Sequence, residues 1–116
     1  MSEPEKAEWT GQSGKRYAYW VYQIPVTLNA GQNGNYIYCK VVNGSWQPLY
    51  IGQGDLGART DIDQHHQSDC LKRKGATHVH AHKTENERDR LSEEGDLLAS
   101  YPQSYQPTGC NEKQGG

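Results

Sequence analysis

The sequence predicts a small α+β domain with a mixed, mainly antiparallel sheet. The chain has 116 residues, which suits one domain with a modest hydrophobic core. Its first half contains aromatic and β-branched segments separated by turn residues, as is typical of strands. Its second half contains a capping box, a pattern that marks the first turn of a helix. We place the domain at residues 15–111, between a polar leader at 1–14 that we expect to be flexible and a polar tail at 112–116.

Three strands are predicted in the first half of the chain. Tyr17–Leu28 is rich in aromatic and β-branched residues, and Pro25 ends it or confines it to a sheet edge. Tyr36–Val42 and Trp46–Ile51 flank Asn43-Gly44, a dipeptide that favours a tight hairpin turn. We therefore expect these last two strands to pair as a β-hairpin.

Two helices are predicted in the second half. The glycines of Gly52–Gly57 end the hairpin, and we expect a helix from Leu56 to Gln67. Thr84 and Glu87 form the capping box, so a second helix is expected from Glu85 to about Ser100. Between the helices, the alternating segment Thr77–Lys83 predicts one more strand.

That strand carries three histidines at alternate positions, so they share one face of the sheet. They are His78, His80 and His82. Three imidazoles are potential Zn²⁺ ligands, but the first and last Cα atoms lie roughly 13 Å apart on an extended strand. We therefore favour a polar sheet face that contacts phosphates or water.

Glu94 occupies a position in the last predicted helix where an apolar residue is expected. It shares one helical face with Leu91 and Leu98, which we expect to face the core. A carboxylate at the edge of a core must be paired, protonated or bound to a metal. The alternative is a partly exposed glutamate that pairs with an arginine.

The hairpin carries a more specific signal. Tyr36-Ile37-Tyr38 and, eleven residues later, Tyr50-Ile51-Gly52 resemble the signature of the GIY-YIG nuclease family, with Tyr36 replacing its first glycine. Gln53–Arg59 resembles the loop and helix start of that family, and Glu94–Leu98 resembles its helical segment. Pro107–Asn111 is similar to its closing element. The resemblance extends from Tyr36 to Asn111, with all five elements in family order.

This resemblance implies a three-stranded antiparallel sheet flanked by helices, to which the chain adds an N-terminal strand. It implies a metal-dependent endonuclease that uses one Mg²⁺ or Mn²⁺ ion and leaves a 5′-phosphate and a 3′-hydroxyl. Nucleic acid would be the substrate, DNA in preference to RNA. Because a small chain offers little surface for reading bases, we expect low sequence specificity or a homodimer.

The resemblance also assigns roles to individual residues. Tyr38 and Tyr50 would flank the attacking water, and Arg59 would hold the scissile phosphate. Glu94 would bind the metal, and Asn111 would orient groups around it. These residue types suit the reaction, because a guanidinium and a cation both stabilise negative charge on phosphate oxygens.

The chain departs from the family pattern after Arg59. Many members have His or Tyr four residues later, where this chain has Asp63. His65 or His66 would then handle the proton, although both could instead be helix-end histidines. Glu93 stands at a position that the family keeps apolar, which leaves the helical register around Glu94 open to a shift of one residue.

The net charge of −2 conceals an uneven distribution. Residues 11–84 contain eight Lys and Arg against four Asp, whereas residues 85–96 contain six acidic residues and two Arg. The basic positions that we expect to meet phosphates are Lys72, Arg73, Lys74 and Lys83. A solvated basic loop is the alternative for this segment. If catalysis is weak, the domain would bind nucleic acid or a partner protein instead of cleaving it.

The expected compartment is the cytoplasm. No segment approaches the roughly 18 apolar residues of a membrane span, and we find no signal-peptide pattern. Cys39, Cys70 and Cys110 are odd in number and widely spaced, which argues against a secreted disulfide framework.

Overall fold

The computed structural model describes residues 5–112, and its main feature is a curled sheet of five antiparallel strands. The strands are β1 (Lys6–Thr10), β2 (Arg16–Gln23), β3 (Asn33–Val42), β4 (Ser45–Asp55) and β5 (His78–Lys83). Their order across the sheet is β1-β2-β5-β3-β4. The helices are α1 (Leu56–Arg59), α2 (Ser68–Lys74) and α3 (Glu87–Ser100). None of the helices in this described part of the chain is long and apolar enough to cross a membrane.

The prediction of a three-stranded sheet flanked by helices was wrong, because the sheet is wider and dominates the fold. One cause lies in the segment expected to be a flexible leader, where β1 pairs with β2. Trp9 of β1 is only 3% exposed, and its indole N–H donates a hydrogen bond to Nδ1 of His80 at 3.0 Å. Burying a tryptophan stabilises an otherwise polar segment as a fifth strand. Residues 1–4 of the leader and 113–116 of the tail lie outside the described part.

The hairpin prediction is confirmed. Asn43 and Gly44 have φ angles of 52° and 79°, and a tight I′ turn requires positive φ at both positions. Both strands extend further than predicted, since pairing continues to Asn33 opposite Asp55. The strand predicted at Thr77–Lys83 is also confirmed, as β5.

The long helix predicted from Leu56 to Gln67 was wrong. The Thr60 hydroxyl donates to the carbonyl of Leu56 at 2.6 Å, and the chain leaves helical geometry after Arg59. It continues through turns until α2, which ends at Lys74 and is capped by Gly75 with a φ angle of 83°. The Thr60 amide donates to the same carbonyl at 3.0 Å, and a Thr hydroxyl bonded four residues back slightly destabilises a helix, an effect that the periodicity of the segment does not reveal.

The last helix is confirmed, but its cap and its buried face differ from the prediction. Asn86, rather than Thr84, caps α3 by accepting a hydrogen bond from the Asp89 amide at 3.1 Å. The buried side chains of α3 are Arg90, Glu93 and Leu97. Leu91, which we expected in the core, is 49% exposed. The buried face is therefore shifted by one residue.

Two hydrophobic clusters lie on opposite faces of the sheet. The first cluster is covered by α1 and α2 and includes Tyr36, Tyr38, Leu49, Leu71 and Val79. The second is covered by α3 and includes Trp9, Tyr19, Ile37, Ile51 and Leu97. Alternate residues of β3 thus enter different clusters, as the two-residue period of a strand requires.

A disulfide joins Cys70 of α2 to Cys110 of the closing segment, with Cα atoms 5.9 Å apart. Cys39 is a buried free thiol. The odd number of cysteines therefore reflects one pair and one core residue, whereas their number and spacing argued against a secreted disulfide framework.

Candidate active site

Strand register brings the tyrosines of the hairpin onto one face of the sheet. Tyr38 lies opposite Tyr50, and Tyr36 lies opposite Gly52. The ring of Tyr36 is centred 5.9 Å from that of Tyr50 and stacks on it nearly in parallel. A Cβ atom on Gly52 would lie only 2.6 Å from the Tyr36 hydroxyl. The stacked pair therefore requires glycine at position 52.

His65 holds Tyr36 from the other side. Nε2 of His65 lies 2.9 Å from the Tyr36 hydroxyl, and the Gln67 amide donates to Nδ1 at 3.0 Å. Burial, followed by the charges of His66 and Arg59, lowers the pKa of His65 to about 4. The ring is therefore neutral near pH 7, and its proton resides on Nε2, where it is donated to Tyr36.

Tyr50 contacts a second, exposed histidine. Its hydroxyl lies 3.2 Å from Nε2 of His66. Burial, and then the Glu94 carboxylate, raise the pKa of Tyr50, whereas the Tyr36 hydroxyl and Arg59 lower it. The net rise keeps Tyr50 protonated near neutral pH, so its hydroxyl can donate a hydrogen bond to His66. His65 and His66 both lie in the turns between α1 and α2, where we had predicted a helix.

A pocket of about 170 Å³ lies beside this tyrosine–histidine pair. Its polar lining consists of Tyr50, His66, Gln67, Glu94, Tyr105, Asn111 and Glu112. Glu94 is half-buried, and within residues 5–112 its carboxylate makes no hydrogen bond or ion pair. Burial raises the pKa of Glu94, and the charge of Arg59 opposes that rise. The pocket thus combines a desolvated carboxylate with a hydrogen-bonded Tyr–His pair.

Glu93 and Glu94 are adjacent in the sequence, but their side chains have different surroundings. It is 5% exposed and accepts hydrogen bonds from Tyr19 and from Nε2 of His82, the latter at 2.6 Å. Glu93 therefore ties α3 to the sheet, and Glu94 is the residue of the two that lines the pocket.

Arg59 and Tyr38 meet at the end of α1. The Tyr38 hydroxyl donates to the backbone carbonyl of Arg59 at 2.7 Å, and Tyr38 is fully buried. Tyr38, which we predicted to flank the attacking water, therefore holds α1 in place and is not part of the pocket lining. The guanidinium of Arg59 lies over Gly54, where a Cβ atom would approach Nε to 3.0 Å.

Asn111 lines the pocket while pairing with the edge of β4. Ile51 N–H donates to its Oδ1, and its Nδ2 donates to the Ile51 carbonyl. The neighbouring Cys110 amide donates a hydrogen bond to the Leu49 carbonyl, so the closing segment Pro107–Asn111 runs along β4. The Cys70 disulfide then fixes this segment to α2.

The four basic residues predicted to meet phosphates are divided between two places. Nζ of Lys72 in α2 lies 2.5 Å from the Asp63 carboxylate. Nζ of Lys74, also in α2, donates a hydrogen bond to the Pro107 carbonyl. Arg73 of α2 is exposed. Lys83 lies at the end of β5, 3.4 Å from Glu85. Asp63, the departure from the family pattern, thus pairs with Lys72 at the surface.

The three histidines of β5 share one face as predicted, but two of them are engaged within the fold. His80 is fully buried between Trp9 and the Cys39 thiol, and burial lowers its pKa to about 4. His82 binds Glu93. In the described part of the chain, no group of three or more His, Cys, Asp or Glu residues could hold a metal ion.

Sequence reasoning missed Tyr36, Gln67 and Glu112. Tyr36 was treated as a replaced glycine, although hairpin register counted from Asn43-Gly44 places it on the same face as Tyr38 and Tyr50. Gln67 binds Glu112 at 2.9 Å, a contact between distant segments that leaves no local pattern.

No family model matches the chain, and comparisons with curated proteins and with solved structures find no match either.

Proposed function

We propose that the chain is a metal-dependent endonuclease that hydrolyses phosphodiester bonds of nucleic acid, with DNA favoured as its substrate. The observation that carries the proposal is the Tyr50–His66 hydrogen bond beside the desolvated carboxylate of Glu94. A proton acceptor and a cation ligand are two groups that serve metal-assisted hydrolysis of a phosphodiester by water. The resemblance of the hairpin to the GIY-YIG signature supports the same reaction.

The residues of the pocket suit Mg²⁺ or Mn²⁺. Such ions favour oxygen ligands and are typically held by one or two carboxylates together with several waters. Glu94 is an unpartnered carboxylate within residues 5–112, and Glu112 lines the same pocket. When bound there, the cation would supply positive charge to the phosphate oxygens.

Each side chain then has one task in the reaction. Tyr50 accepts a proton from the attacking water as its own proton passes to His66. Tyr36 and His65 fix the position of the Tyr50 hydroxyl, and Arg59 binds a non-bridging phosphate oxygen. The water oxygen forms a bond to phosphorus, the bond to the 3′-oxygen breaks, and that oxygen takes a proton from solvent.

Cleavage of supercoiled plasmid with Mg²⁺ or Mn²⁺ tests the proposal. We expect Glu94→Gln and Tyr50→Phe to lower the rate by about 100-fold or more, the usual loss when acid–base or electrostatic groups are removed. Glu87→Gln, an exposed position on the same helix, is the matched control and should cleave like the wild type. Equal cleavage by wild type and Glu94→Gln, or no cleavage of DNA and RNA by the wild type, would contradict the proposal.

A second candidate function is a catalytically weak domain that binds nucleic acid or a partner protein. The buried Tyr38 favours it, because a motif tyrosine is used to hold α1. Salt-sensitive binding of DNA without metal-dependent cleavage would support this alternative.

The cytoplasm stays a prediction for the compartment. The disulfide argues against it, because such bonds persist mainly in oxidising compartments.

A further inference from the structure

A second concave surface lies on the same sheet face as the hairpin tyrosines. Trp20 of β2 pairs with Ala81 of β5, and Ala81 pairs in turn with Tyr36 of β3. Paired residues of neighbouring strands project from the same face, so Trp20 and Tyr36 do as well. The helices α1 and α2 cover this face near β4 but leave a groove of about 540 Å³ near β2.

We call this surface the aromatic groove and define it by Lys6, Trp20, Tyr22, Leu56 and Lys83. Trp20 is 36% exposed, so part of its ring is accessible to a ligand. Nζ of Lys6 lies 4.6 Å from the centre of its ring. The groove therefore offers an exposed aromatic ring with a cation over one of its faces.

The charges of the aromatic groove favour an anionic ligand. Lys6 and Lys83 line it, and no acidic side chain of the described residues does. Glu85 lies 3.4 Å from Nζ of Lys83, but both side chains are exposed, and exposed ion pairs of this kind are weak. A phosphate group can therefore replace Glu85 as the partner of Lys83.

The short helix α1 connects the aromatic groove to the candidate active site. Leu56, the first residue of α1, lines the groove, and Arg59, its last residue, carries the charge that acts on Glu94 and Tyr50. Three residues of helix rise by about 5 Å. Leu56 in the groove and Arg59 are thus separated by about one turn of the same short helix.

We infer that the aromatic groove binds unpaired nucleotides of a nucleic-acid strand next to the bond that is cut, which rests on the proposed function. Bases stack on Tyr22 and on the face of Trp20 opposite Lys6, and Lys6 and Lys83 contact the phosphates. Aromatic platforms with adjacent cations bind single strands in this way, without preference for sequence. The substrate class is therefore nucleic acid with a single-stranded segment at the cleavage position.

Binding of a labelled single-stranded oligothymidylate, measured by fluorescence anisotropy in EDTA, tests the inference without cleavage. We expect Trp20→Ala to weaken binding about tenfold, the loss typical of one base–aromatic stack, and Trp20→Tyr to retain most of it. Val42→Ala removes another exposed apolar side chain, at the hairpin, and should bind like the wild type. Lys83→Gln should weaken binding and reduce its salt dependence by about one counterion.

If Trp20→Ala bound the oligothymidylate as tightly as the wild type does, the inference would be overturned. Equal binding of the corresponding duplex, or competition by a mononucleotide at the same concentration, would also overturn it. The plasmid assay is independent of these measurements. If the wild type binds the strand through Trp20 but does not cleave DNA or RNA, the groove is supported and the proposed nuclease function is rejected. If the wild type cleaves but Trp20→Ala binds as well as the wild type, the nuclease function is supported and the groove is rejected.

Discussion

The carboxamide of Asn111 forms two hydrogen bonds with the backbone of Ile51, at 2.8 Å to its amide and 3.0 Å to its carbonyl. Ile51 lies on β4, the strand at the edge of the sheet. An edge strand exposes backbone groups that a neighbouring strand would otherwise satisfy. Asn111 therefore takes the place of one residue of a sixth strand while it lines the candidate pocket.

We expect Asn111→Ala to lower the free energy of unfolding by about 1–3 kcal/mol, because it leaves two buried backbone groups without partners. Urea denaturation followed by circular dichroism measures this change. Gln103→Ala, at an exposed position nearby in the chain, should change stability by less than about 0.5 kcal/mol. Equal stability of the two variants would show that the Asn111 pairing is dispensable.

Two glycine substitutions should have opposite effects. Gly52→Ala places a Cβ atom 2.6 Å from the buried Tyr36 hydroxyl, so we expect a loss of about 1–3 kcal/mol from overpacking. Gly95→Ala lies on the exposed side of α3 with no atom within 4 Å, so we expect a gain of about 0.5–1 kcal/mol from helix propensity. Urea denaturation of both variants tests the pair. A stabilised Gly52→Ala protein would refute the stacking of Tyr36 on Tyr50.

Stability should fall in acid because of His65 and His80. Burial lowers both pKa values to about 4, from an ordinary value near 6.5. Between these values the unfolded chain binds more protons than the folded protein, so the free energy of unfolding decreases as the pH falls from about 6.5 to about 4. Each residue should contribute a loss on the order of 2 kcal/mol between about pH 7 and pH 5.

Urea denaturation at both pH values measures this loss. His80→Gln should reduce it by about half, since one of the two groups is removed. His65→Asn provides an independent second variant should His80→Gln fold poorly. A pH dependence in both variants identical to that of the wild type would exclude the buried imidazoles as its cause.

Reduction of the Cys70–Cys110 disulfide should destabilise the fold. The bond spans 40 residues of sequence, and closing a loop of that length in the unfolded chain stabilises the native state by about 4 kcal/mol. Dithiothreitol should therefore shift the urea midpoint of the wild type but not that of the double variant Cys70→Ser, Cys110→Ser. The oxidised protein, unfolded in urea, should titrate as one thiol, that of Cys39. Three reactive thiols would contradict the pairing.

Local chemistry predicted the hairpin and the last helix of this fold. The Asn43-Gly44 turn needs only two adjacent residues to determine its φ angles, and it fixes which tyrosines share a face. The width of the sheet was not predictable in this way. β1 joins the sheet because Trp9 is buried against His80, 71 residues further along the chain.

The candidate site, like the fold, was predicted from the sequence only in part. Tyr50 and Glu94 were selected from the motif, and both line one pocket. The roles of Tyr36 and Tyr38 could not be separated by spacing, because both alternate on one face of β3. Their hydrogen-bond partners distinguish them, because Tyr36 contacts His65 and Tyr38 donates to the Arg59 carbonyl.

The disulfide also determines what a protease could do to this protein. It closes residues 70–110 into a covalent ring that contains β5, α3 and Glu94, whereas Tyr50 and His66 lie outside the ring. A single backbone cut between residues 71 and 109 would leave both fragments attached to each other. A nicked protein would therefore migrate at full size without reductant and as two pieces with it.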